Sequence, residues 1–343
     1  MKRWTMGVLA IAGVAAMITT GCERGGNAGG ADNEGDAGDT GSTSTERYEI
    51  GVIAKSQSNP VFQAARTGAE DAARDLSAEL GIEVTVNWRT PVNEDAQQQA
   101  QFVEQLASQG VSGIAISVSD ANLLTSAIDS AVDRGVEVVT FDSDAPASKR
   151  FAYYGIDDVE AGRAVMRELA KAMGNEGAVA ILGGNQNAPN LQARVRGVRE
   201  AAGEINGITI KDAYYHPETA SDAAAKVQEV QSANPDIAGW AMVGGWPLFT
   251  TNALDGVHER AKVTSMDNLP EQLNYVENGQ VQALIGQDCY GWGYQSVVLL
   301  IDKLHKGEDP EQVINNFDLS VVTQENVEEY RGVWERWLNR EDD

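Results

Sequence analysis

Asp142, Asp267 and Arg194, the amides of Asn59, Asn190 and Gln287, and the hydroxyls of Ser117 and Ser143 are residue types suited to binding a polyhydroxylated molecule. An ionised carboxylate accepts two hydroxyl donors, and a guanidinium donates to hydroxyl or ring oxygens. Aromatic faces cover the apolar C–H side of such a molecule. Phe62 and Trp246 are the nearest candidates for that role, with Tyr290 and Trp292 behind them. Lys55 and Gln57 stand at the rim of the same set.

Other chemistries find little support. His216, His258 and His305 are scattered, without an H-E-x-x-H pattern or paired cysteines, so no metal site is expected. The stretch GGNQN lacks both G-x-G-x-x-G and a G-K-[ST] ending, and reads as a strand-to-helix loop rather than a phosphate cradle. No G-x-S-x-G elbow is present. Carboxylates facing across a cleft would suit a glycosidase only at a particular separation. We expect a binding protein with no cofactor, not an enzyme.

The elements that must position these residues follow a regular grammar. From Tyr48, β-branched runs (EIGVIA, EVTVNW, GIAISV, EVVTFD, FAYYGI) alternate with helical stretches, the pattern of a parallel sheet covered on both faces. A second set of the same style follows, with AVAILGG, ITIKDAYY, IAGWAMVGG, KVTSMD and VQALIGQD as strands and LFTTNALDGVHE among the intervening helices. The fold class is therefore α/β, with two doubly wound parallel-sheet lobes. In such sheets ligands bind beyond the carboxyl ends of the strands. That rule selects 55–62, Ser117, Ser119, 142–144, 183–190, 244–246, Asp267, Asn268, Gln287 and Asp288.

Structural roles compete at several of these positions. Asn59 followed by Pro60 is a good helix N-cap. Asp142 and Asp267 could be turn residues, and Arg194 shares its helix with Arg196 and Arg199. Phe62 could be core, and the Gly-Gly-Trp-Pro run around Trp246 a packed turn.

At the N-terminus, Lys2 and Arg3 precede an apolar run from Gly7 to Thr20, too short for a mature membrane span, and 1–21 read as a secretory signal. The sequence ITTGC resembles a bacterial lipobox, which makes Cys22 the expected lipid anchor. Residues 22–46 are rich in Gly, Asp, Ser and Thr and read as a flexible tether. The formal net charge is −25, from 26 basic against 51 acidic residues, which argues against nucleic acid as a partner. Only Cys289 remains after Cys22, so stability must come from core burial.

The order and spacing of SNPVF after the first strand, then GAEDAAR, VTFDSD, ARVRGV, VTSMDN, PEQLNYVENGQVQALIGQD and GYQSVVLLIDKLHKGE, resemble the ribose- and galactose-type solute-binding proteins of bacterial ABC transporters. Their fold also serves as the effector domain of lactose-repressor-type regulators. The likeness spans nearly all of the chain after Tyr48. It implies ligand contacts from Asn59, Phe62, Asp142, Arg194, Asp267 and Gln287. Ser117 stands where ribose-type members carry Asn, Ser143 where they carry Arg, and Gly245-Trp246 where they carry Asn-Asp, so the ligand is left open. It further implies a three-crossing hinge, with 47–154 plus 288–317 as the N-terminal lobe and 155–287 plus 318–343 as the C-terminal lobe.

The expected function is capture of a monosaccharide by a lipid-anchored, monomeric protein at the periplasm or cell surface, which delivers it to a membrane permease. The alternative is a sugar or autoinducer receptor for a sensor kinase. A repressor is disfavoured because a signal and tether occupy the place of a DNA-binding helix pair.

Overall fold

A computed structural model describes residues 45–338. The signal segment 1–21, Cys22 and nearly all of the tether lie outside the described residues.

The first sheet has the order β11-β5-β4-β3-β1-β2. Its strands are β1 (Arg47–Ile53), β2 (Glu83–Trp88), β3 (Gly113–Ile116), β4 (Glu137–Phe141), β5 (Ala152–Gly155) and β11 (Ile314–Asn316). All of its pairings are parallel. Successive side chains on a strand point to opposite faces. Ile50, Val52 and Ala54 accordingly join one core cluster with α1 (Val61–Leu80) and α8 (Cys289–Ile301), while Ile53 joins the other with α2 (Ala96–Gln109) and α3 (Ala121–Asp133).

The second sheet repeats the plan as β12-β10-β9-β8-β6-β7. Its strands are β6 (Glu176–Gly183), β7 (Gly207–Tyr215), β8 (Ile237–Met242), β9 (Lys262–Met266), β10 (Ala283–Gly286) and β12 (Ser320–Val322). Its faces are covered by α4 (Asp158–Met173) and α5 (Pro189–Gly203) on one side, and by α6 (Ala220–Ala233) and α7 (Pro270–Glu277) on the other. Here β12 runs antiparallel to β10, an exception to the all-parallel expectation.

Two further expectations need correction. LFTTNALDGVHE is a short 3-10 turn, Trp246–Phe249, followed by a series of turns rather than an α-helix. Pro247 and the positive φ at Asn252 (66°) and Gly256 (72°) interrupt helical geometry there. The tail assigned to the C-terminal lobe, 318–343, is shared over its described part, 318–338. In α9 (Val327–Leu338), Val327 and Tyr330 pack on the second lobe, while Trp334 and Trp337 pack into the first lobe's core. A helix of this length is about 18 Å long, enough to touch both.

The chain passes from one sheet to the other after β5, after β10 and after β11. Close helix crossings set the site geometry. A Cβ on Gly162 of α4 would fall on the carbonyl oxygen of Arg194, and one on Gly197 of α5 would fall on that of Val159. Gly162→Ala should therefore push α5 away and lower folding stability by about 1–3 kcal/mol. Urea denaturation measures the cost, and an unchanged midpoint would show that the crossing can relax.

Candidate functional site

Equivalent strands of the two sheets end in equivalent aspartates. Asp142 follows β4 with φ of 57°, and Asp267 follows β9 with φ of 66°. Left-handed backbone is uncommon for residues other than glycine, and Asp is among the few that tolerate it. Each amide continues the ladder, Asp142 N to Tyr154 O at 3.1 Å and Asp267 N to Ile285 O at 2.8 Å, so the side chains leave the sheets at the carboxyl ends of the strands.

The two carboxylates lie at either end of one buried polar network built from both lobes. From the first lobe, Ser117 Oγ donates to Asp142 Oδ2 at 2.6 Å, and Lys55 Nζ stands 3.6 Å from the same oxygen. From the second, Asn190 Nδ2 donates to Asp142 Oδ1 at 3.2 Å while its Oδ1 accepts from Lys55 Nζ at 3.0 Å. Arg194 is the centre: Nε donates to Asp158 Oδ1 at 2.8 Å, Nη1 to Val243 O at 3.2 Å and Nη2 to Gln287 Oε1 at 3.0 Å, with Asp142 Oδ1 at 3.8 Å. Gln287 Nε2 then donates to Asp267 Oδ1 at 2.6 Å.

Lys55 and Arg194 thus face Asp142, Asp158 and Asp267. Burial raises the carboxyl of Asp158 to about 6, against the pull of Arg194 and with the push of Asp142. Burial also raises Asp267, opposed by Arg194 and by the Gln287 hydrogen bond. Buried charges of this kind persist only when paired and hydrogen-bonded.

Neighbouring residues hold the network in place. Gln99, fully buried, donates through Nε2 to Ala54 O at 3.0 Å and Ser117 O at 2.7 Å, tying the exits of β1 and β3 together. Tyr153 Oη donates to Asp142 O at 3.0 Å. Asp144 pairs with Arg150 through two contacts of 2.5 Å.

Of the sequence-predicted residues, Lys55, Ser117, Asp142, Asn190, Arg194, Asp267 and Gln287 come together. Asn59 is buried at the start of α1, its Oδ1 accepting from Val61 N at 3.3 Å, although Pro60 rather than Asn59 immediately precedes the helix. Phe62 and Trp292 belong to the first lobe's core cluster: their rings lie 6.0 Å apart, with Phe141 6.5 Å from Trp292. Tyr290 points elsewhere, its Oη donating to Asp71 Oδ2 at 2.7 Å and its ring stacked on Trp337. Gln57 braces its loop against the one after β2, donating to Thr90 O at 2.7 Å. Ser143 is fully buried, and its hydroxyl finds no partner among the described residues. Trp246 packs edge-on against His216 with ring centroids 5.3 Å apart.

Asp158 and Gln99 were missed. Asp158 reads from sequence as an ordinary acidic residue in a helix first turn, and only the strand-exit rule applied to FAYYGI could have singled it out. A cavity of about 760 Å3 opens between the lobes, lined by Ser58, Asn93 and Glu94 of the first lobe and by Asn185, His216 and Glu218 of the second, among others.

Residues 50–309 match the family model described as periplasmic binding protein domain. The D-allose-binding periplasmic protein of Escherichia coli is 28% identical over 276 residues, covering 76% of this chain and 86% of that protein. The ribose import binding protein of Bacillus subtilis is 24% identical over 245 residues, 71% of this chain and 77% of that one. Among solved structures, an ABC transporter solute-binding protein from Burkholderia graminis in complex with D-arabinose superposes with a TM-score of 0.75 at 26% identity, covering 82% of this chain and 97% of that chain. Two like-built lobes, a polar network made by both at their strand exits, and these matches together place the chain in the periplasmic binding protein family.

Proposed function

We propose that this protein captures a monosaccharide or related polyol between its lobes and delivers it to an ABC permease. The observation that carries the reading is the network of Lys55, Asp142, Asn190, Arg194, Asp267 and Gln287, whose donors and acceptors come from both lobes. A molecule with several hydroxyls, each both donor and acceptor, can take over these bonds one by one. It contacts both lobes only when they are closed, so binding shifts the population toward the closed form.

In this reading 47–154 plus 288–317 move against 155–287, with α9 bridging the two. Ser143 and Trp246 border the ligand. The basic start, apolar run and Gly21-Cys22 end support attachment to the membrane through a lipid on Cys22.

The test is a thermal-shift screen of the full chain against ribose, allose, arabinose, other monosaccharides, polyols and nucleosides. A ligand at 100 times its Kd stabilises the native state by about 2.7 kcal/mol, a shift of several degrees. A shift with a sugar or polyol is expected. Silence across all carbohydrates and polyols, or a response to nucleosides alone, would overturn the reading.

A further inference from the structure

The geometry points to a proton-bridged latch between Glu94 and Glu218 that closes the mouth of the cleft, so that lobe closure takes up a proton. It rests on the reading of capture by closure but not on the identity of the ligand.

The two glutamates occupy the same place in the two lobes. Glu94 precedes Asp95, the N-cap of α2, and Glu218 precedes Thr219, the N-cap of α6; these helices follow the equivalent edge strands β2 and β7. The internal repeat therefore brings like to like. Both line the same interlobe cavity, and one residue, Asn185, donates to both carboxyl groups and so holds them facing each other. Two carboxylates held together in this way can bond to each other only if one carries a proton, because ionised carboxylates only accept. Asn185 fixes the pair, donating through its backbone N to Glu218 Oε1 at 2.9 Å and through Nδ2 to Glu94 Oε1 at 3.1 Å.

No nearby cation removes the need for the proton. Lys55 reaches the pair only at longer range, its ammonium held by Asn190 and Asp142. His216, on the same loop as Glu218, has its imidazole pushed down by burial, against the Pro217 carbonyl, with Asp222 and Lys226 acting on it in opposite senses. Asp95 turns its carboxylate to Gln97 N and Gln98 N of its own helix. Burial, then Glu94, raises the Glu218 carboxyl well above its ordinary value, with Lys55 and the Asn185 amide opposing. In an open form the Glu218 carboxyl parts from Glu94 into water and returns to the usual carboxylate range. The latch is then fully engaged below the open-state value and is lost as pH rises through the closed-state value.

The experiment measures the interlobe distance in the unliganded full chain by double electron–electron resonance between pH 5 and 8.5. Spin labels sit on Gln101→Cys and Ala225→Cys, both exposed, in a Cys22→Ser background. The closed-to-open ratio is expected to fall by up to about tenfold per pH unit where Glu218 titrates, the slope of one proton. Glu218→Gln and Glu94→Gln, whose amide donates without a titrating proton, should each flatten that slope while keeping the closed distance. A wild-type ratio that does not change with pH overturns the latch. So does a slope equal in wild type and Glu218→Gln, which would assign the proton to Asp158 or Asp267. A sugar that draws the lobes together in either case leaves the capture reading standing.

Discussion

Asp142→Asn is expected to weaken ligand binding by two to three orders of magnitude, about 2.7–4 kcal/mol. The substitution is close to isosteric, and asparagine tolerates the left-handed backbone that Asp142 adopts, so the fold of the strand exit is kept. What changes is the chemistry of one atom. Asp142 accepts from Ser117 and Asn190 and lies within 4 Å of both Lys55 and Arg194. An amide NH2 at either oxygen position confronts those cations with a donor and cannot take hydroxyl protons from a sugar. The loss falls on the closed liganded state, where the groups are dry, far more than on the open form, where water solvates them. Isothermal titration calorimetry reads the affinity, and the unliganded melt should fall by much less than the liganded one. Affinity within threefold of wild type would remove Asp142 from the ligand site.

The contrast between residues explains what could be read from sequence alone. Asp142, Asp267 and Ser117 were legible because they follow β-branched runs, and a parallel sheet delivers every strand end to one edge. Arg194 was legible through the ARVRGV segment, and the structure supplies the reason for its glycine: Gly197 allows α5 to lie against α4, which sets where Arg194 reaches. The aromatic residues were not legible. Whether Phe62, Trp292 or Tyr290 faces a ligand or a neighbouring ring depends on α8 and α9 packing on α1, contacts far apart in sequence. β11 and β12 were too short, at 3 residues each, for periodicity to mark them. Asp158 and Glu218 were hidden for a different reason. Each is an unremarkable acidic residue beside a helix start, and its meaning comes only from what the other lobe or the next helix places opposite it.

Arg194→Met should lower folding stability by about 3–5 kcal/mol at pH 7, because it removes one member of a buried ionic network and strands the rest. Asp158 would lose its 2.8 Å partner, Gln287 Oε1 and Val243 O their donors, and Asp142 and Asp267 a nearby positive charge. The deficit has a characteristic pH dependence. With Arg194 present, Asp158 is already raised from an ordinary 3.8 to about 6, and Arg194 is the main force holding it down. Without Arg194 its folded-state value rises further above the unfolded one. Protonation then favours the fold, a contribution complete below the unfolded value and lost as pH climbs through the folded one. The variant should therefore recover relative to wild type on going from pH 7 to pH 5, by at most about 1.4 kcal/mol per pH unit for each carboxyl that titrates. Urea denaturation of both proteins at several pH values decides it. A deficit below about 1 kcal/mol would mean that water replaces the guanidinium freely, and a large deficit independent of pH would trace the cost to lost packing by the Arg194 stem rather than to stranded carboxylates.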